Sequence, residues 1–121
     1  MTVHSDEAID GDVLGMAELA SLGWKLLGAL NRELKNAPPE RIEAGEAMLR
    51  FAEGKLERTL AGSNMKLVTY DGESWSAQIP AQALNLIDID DADASVESTI
   101  EPTILRGTRV ILPGKILLRN L

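Results

Sequence analysis

The sequence predicts an α+β protein: a two-helix N-terminal half that forms a dimeric four-helix bundle, followed by a small C-terminal β domain. Three observations carry that expectation. Apolar residues recur at steps of three and four from Gly11 to about Ala61, with one break at "KNAPPE". After Gly62 the period shortens towards alternation. The dipeptides Asp71-Gly72 and Pro113-Gly114 then punctuate the second half as turns. Helices followed by strands, rather than alternating with them, argue against a βαβ sheet.

Residues 1–10 read as a flexible polar tail, 11–62 as the helical dimerisation region and 63–121 as the β domain. In the first helix Met16, Leu19, Ala20, Gly23, Leu26, Leu27, Leu30 and Leu34 fall on helical spacing. Gly15, Gly23 and Gly28 each weaken it by roughly 1 kcal/mol relative to Ala. Close approach of a neighbouring helix would offset that cost, because glycine has no side chain to hold a neighbour away. Pro38 and Pro39 end the first helix and can start the second. The second runs from about Pro39 to Ala61, with Gly62 as its stop. Ile42, Gly45, Leu49, Ala52, Leu56 and Thr59 form a heptad-like seam along it.

In the β half, "MKLVTY-DG-ESWSAQI" reads as a hairpin, and "ALNLIDI", "ESTIEPTIL" and "TRVIL-PG-KILL" as further strands. The β core is expected from Leu67, Val68, Ile79, Leu84, Leu86, Ile87, Ile104, Val110, Ile111, Ile116 and Leu117. Trp75 is expected to anchor the first hairpin. Two helices of this length carry more apolar surface than they can bury on each other. Pairing with a second copy through Leu26, Leu30, Ile42, Leu49 and Leu56 is the simplest solution.

Composition narrows the function. Net charge is −7 and aromatics are 3% of 121 residues, which argues against a nucleic-acid surface. There is no cysteine, so thiolate chemistry and disulfides are excluded, and a reducing cytoplasm is compatible. The single histidine, His4, lies in the tail, a poor place for a triad or a metal site. No signal peptide and no run of membrane-spanning length is read, so no membrane partner is expected. The run Asp88, Asp90, Asp91, Asp93 and Glu97 fails the EF-hand spacing and reads as a solvated acidic loop. No catalytic constellation, metal set or cofactor motif is found, so a non-enzymatic, protein-binding role is expected.

Three segments carry a family resemblance. "GEAMLRFAEGKLERTLAGSNMKLV", "DGESW" and "RGTRVILPGKILL" occur in the order helix, Gly stop, aromatic turn and closing strand pair. This order resembles the GrpE family, nucleotide exchange factors of DnaK-type chaperones. The family's closing segment reads Gly-Asp-Arg-Val-x-x-Pro-Ala-x-Val; Gly107, Arg109, Val110 and Pro113 match it. The resemblance covers roughly residues 15–118 and implies a homodimer whose β domain binds the chaperone's nucleotide-binding domain and promotes ADP release. It implies Arg109, Arg106, Gly107 and Pro113 as chaperone-binding residues and needs no cofactor. For the two arginines the plain alternative is a solvated turn. Three departures stand out. The family's His-Glu pair is replaced within "QIPAQALNL", its Arg before the closing Pro is Leu112, and its long N-terminal helix is almost absent. The alternative function is a dimeric adaptor without exchange activity.

Overall fold

The computed structural model describes residues 11–90 and 94–120. The expectations on the tail, His4, Asp91 and Asp93 lie outside the described residues. The chain is an α+β protein, two helices followed by a small β region. Helices α1 (Gly11–Leu34) and α2 (Pro39–Gly62) form an antiparallel pair. Six strands follow among the described residues: β1 (Met65–Val68), β2 (Ala81–Ala83), β3 (Ala94–Glu101), β4 (Thr103–Arg106), β5 (Arg109–Leu112) and β6 (Gly114–Asn120). They make two three-stranded sheets, ordered β1-β4-β5 and β2-β6-β3.

The Pro38-Pro39 break works as the sequence predicts. Pro38 occupies the N-cap and Pro39 the first turn of α2, where a missing N–H costs nothing. The other end differs. Gly62 is still helical, and Asn64 takes the left-handed conformation, at φ 62°. Asparagine tolerates this region because its short polar side chain bonds locally. Glycine does serve close helix approach, but at a different place from those expected. Gly45 of α2 leaves the space that the Leu34 side chain of α1 fills. Only an ordinary 4.0 Å separation from Leu56 would meet a Cβ at Gly23, and nothing lies near Gly15.

The strand pairing corrects the sequence reading. The two apolar runs around Pro113-Gly114 do not form a hairpin with each other. β5 pairs with β4, and β6 pairs antiparallel with β3 and parallel with β2. The hairpin turn is instead the Arg106-Gly107-Thr108-Arg109 segment, with Arg106 directly opposite Arg109. Pairing then continues through both sheets, with Ile104 opposite Leu112 and Glu101 opposite Lys115, and the register shifts at Ile104/Leu105, Thr99/Glu101 and Val96/Ser98. The last 27 described residues (94–120) are therefore one long hairpin, bent where Pro102 faces Pro113-Gly114. Proline lacks the N–H for a central ladder, so the chain leaves one sheet and enters the other at that corner.

Asp71-Gly72 is a turn, with Gly72 at φ 83° and the Glu73 N–H donating to Tyr70 O at 3.0 Å. Its arms separate rather than pair. β1 goes to β4, while Ser74 bridges to Ser95 of β3. Of "ALNLIDI" only Ala83 is in a strand, as the last residue of β2, and Leu86–Asp88 is a 3-10 turn.

Two apolar cores result. The first joins Ala17 and Ala20 of α1, Leu60 of α2, and Met65, Ile104 and Ile111 of the first sheet. The second contains Tyr70, Val96, Ile116 and Leu118, with Trp75 packed against it. The expected core residues Ile104, Ile111 and Ile116 are buried, whereas Leu84, Leu86, Ile87 and Val110 are exposed. α1 is also long and apolar enough, by length and composition, to cross a membrane, contrary to the expectation that no run reaches that length. One face of it, at Ala17, Ala20 and Ser21, is buried within the fold.

Candidate partner-binding surface

The Arg106–Arg109 turn presents the main sequence-predicted site. Gly107 has φ 62°, the positive value that a two-residue type II′ hairpin loop requires at its first central position. The Gly107 N–H donates to Asn64 O at 3.3 Å, which ties the turn to the α2–β1 junction. Direct pairing puts the Arg106 and Arg109 side chains on one face of the sheet. Like charges placed opposite each other work against stability. A pair of guanidinium groups held this way can fork onto carboxylates or other anionic acceptors. On a chain of net charge −7 the turn brings two cations together, with Asp12 of α1 lining the same groove as Arg106.

Pro113 is not part of that spot. It lies at the far end of β5, about 13 Å from Arg109 along the strand at an extended rise per residue. Leu112, which stands where the resembled family has an arginine, is half-buried and packs against the first core. An arginine there would bury a charge unless its stem carried the head to solvent.

The five residues proposed for dimer contact divide into two groups. Leu26 and Leu30 are exposed on the outer side of α1. Leu49 is buried within the single chain at 7% exposure, and Ile42 and Leu56 are half-buried. The seam of α2 is thus used largely against its own α1. The open apolar face consists of Leu19, Leu22, Leu26 and Leu30 on α1 with Met48 and Phe51 on α2. Between the helices a groove of about 510 Å³ is lined by Leu26, Leu27, Phe51, Lys55 and Leu56, among others.

Sequence reasoning missed the polar network at the corner. Thr103, with no exposed surface, donates from Oγ1 to Pro80 O at 2.8 Å. The same oxygen accepts from Tyr70 OH at 2.9 Å and from the Gly114 N–H at 3.1 Å. Every bonding position of that hydroxyl is filled, as burial demands. Nearby, Thr99 Oγ1 accepts the Tyr70 N–H, and Asp71 Oδ1 accepts the Thr99 N–H, both at 2.9 Å. The signal available beforehand was the pair of prolines at equal distances from Gly107-Thr108, which marks a bend in both arms.

Helix α1 meets the corner through an ion triad. Lys25 Nζ lies 2.6 Å from Glu101 Oε2, and Lys115 Nζ lies 3.4 Å from Glu101 Oε1. The hydrogen bond from Lys25 is the main cause that holds the Glu101 carboxyl below its ordinary 4.5; the charges of Lys25 and Lys115 add to it, against opposition from partial burial. A carboxyl whose pKa is lowered by folding stabilises above its unfolded value, and that contribution disappears as pH falls through the folded value. The melting temperature of Glu101→Gln is therefore expected to lie slightly below wild type at neutral pH. The gap should close as pH falls below 4.5. Equal gaps at pH 7 and at acid pH would contradict the assignment. The effect is small because both lysines are substantially exposed.

Among the described residues no cluster of His, Asp and Glu is arranged to hold a metal ion. Comparison with known protein families, characterised proteins and solved structures finds no match.

Proposed function

We propose that the chain is a homodimeric co-chaperone that binds the nucleotide-binding domain of a DnaK-type chaperone and speeds ADP release. The observation that carries this reading is the Arg106–Arg109 pair in the Gly107 turn, two like charges placed opposite each other at the tip of a hairpin. That pairing sets two guanidinium forks side by side, a geometry suited to an acidic or polar partner surface. The open apolar face centred on Leu26 and Phe51 supports the dimer, at 60% and 69% exposure respectively. A second copy brings an identical stripe and closes the face by two-fold symmetry. The mechanism is differential binding: the protein favours the open, nucleotide-free chaperone and so shifts the population towards release.

The adaptor reading is favoured by one feature. Pro113 stands apart from the arginines, and Leu112, where the resembled family has an arginine, lies against the core, so the implied contact residues do not form one patch. Release of a fluorescent ADP from the chaperone of the same organism separates the two. Exchange predicts faster release in the presence of the chain; binding without acceleration leaves the adaptor. Arg109→Ala is expected to weaken chaperone binding by tenfold or more with its melting temperature nearly unchanged. A steep loss of stability with binding intact would make Arg109 structural.

A further inference from the structure

The segment after β2 carries an exposed apolar knob that the proposed function does not use. Ile87 is 95% exposed, and Leu84 and Leu86 are about half exposed beside it. The knob is fixed rather than frayed. The Asn85 side chain donates from Nδ2 to Leu118 O at 2.8 Å and accepts the Leu118 N–H on Oδ1 at 2.9 Å. The Leu84 N–H donates to Ile116 O at 2.9 Å, and the Asp90 N–H to Asn120 Oδ1 at 3.0 Å. Ile89 packs on the second core. A segment whose backbone is held in place in this way loses little freedom on docking. Asp88 and Asp90 give the knob an acidic rim.

The same chain offers a surface of the opposite character. A groove of about 450 Å³ between α2 and β1 has the half-buried Leu67 on its wall above the buried Leu60 and Met65, with Arg58 and Lys66 against the single acid Glu57 at its rim. The other grooves fit less well. One is lined by Glu53 and Glu57 without a cation, and one pairs Asp12 with Arg106. The groove at Leu26 and Phe51 belongs to the helix face assigned above. Within one chain the knob and the α2–β1 groove lie on different sheets, and Ile87 remains exposed.

We propose that a second copy of the chain takes this knob, with Ile87 on the apolar wall of its α2–β1 groove and Asp88 facing Lys66 or Arg58. The contact joins unlike surfaces, so it extends assembly beyond a helix-paired dimer unless it is reciprocal. It is independent of chaperone binding.

Sedimentation of the full chain from low micromolar to several hundred micromolar tests it. Leu26→Asp, which charges the exposed helix face, is expected to leave concentration-dependent association in place. Adding Ile87→Asp should weaken that association at least tenfold, and Lys66→Glu should do the same. Asp88→Lys should restore association in the Lys66→Glu chain. Circular dichroism verifies that each variant stays folded, as these exposed positions require. A Leu26→Asp chain that is monomeric at the highest concentration would overturn the proposal. So would an Ile87→Asp substitution that leaves association unchanged.

Discussion

Gly114→Ala is expected to lower the melting temperature by roughly 10 °C, which corresponds to about 3 kcal/mol for a chain of this size. The reason is local and geometric. A Cβ at Gly114 would stand 2.7 Å from Glu101 O, 2.8 Å from Thr103 Oγ1 and 3.0 Å from Thr103 N. Two of those atoms are backbone and cannot rotate away. They belong to the corner where the long hairpin passes from one sheet to the other. Moving them would also lengthen the Gly114 N–H bond to Thr103 Oγ1 and disturb the hydroxyl that joins Tyr70 to Pro80. Gly15→Ala is the control, because nothing within 4 Å meets its Cβ and the site is helical. It should raise the melting temperature by a few degrees. Thermal denaturation of the two variants side by side checks both signs. Equal and small effects would mean that the corner yields at no cost.

Leu49→Asp is expected to cost about 3–5 kcal/mol and to reduce helicity, a loss read from far-ultraviolet circular dichroism and urea midpoints. Sequence spacing alone places Leu49 on a seam between two copies. In the fold it is buried within one chain, so a charge there breaks the α1–α2 pair itself. Leu26→Asp separates the two levels. Its site is exposed in the single chain, so helicity per chain should hold while the helix-paired contact is lost. If Leu49→Asp leaves helicity intact and only halves the mass in solution, the seam faces a partner and Leu49 is not packed within its own chain.

The sequence by itself determined the α+β class, both helices and the proline break between them. These follow from interactions between near neighbours. Steps of three and four put side chains on one helix face, and Pro38-Pro39 remove the donors a continuing helix would need. It also marked Asp71-Gly72 as a turn, because glycine takes a positive φ at no steric cost; the other turn it marked, Pro113-Gly114, is not one, and Gly107 takes that place. Pairing was not legible. Both "TRVIL-PG-KILL" and the RGTR lead-in offer a turn between apolar runs. The choice fell to the corner, where Thr103, Tyr70, Pro80 and Gly114 come together from separated segments. That choice decided which apolar residues are buried: Val96 and Leu118 enter the second core, while Leu84, Leu86 and Ile87 face solvent. Only the tertiary structure set Arg106 opposite Arg109, moved Pro113 away from them and turned Leu112 into the core. Alternation along a strand fixes which residues share a face. Which of the two faces meets the core depends on a partner strand that local sequence does not specify.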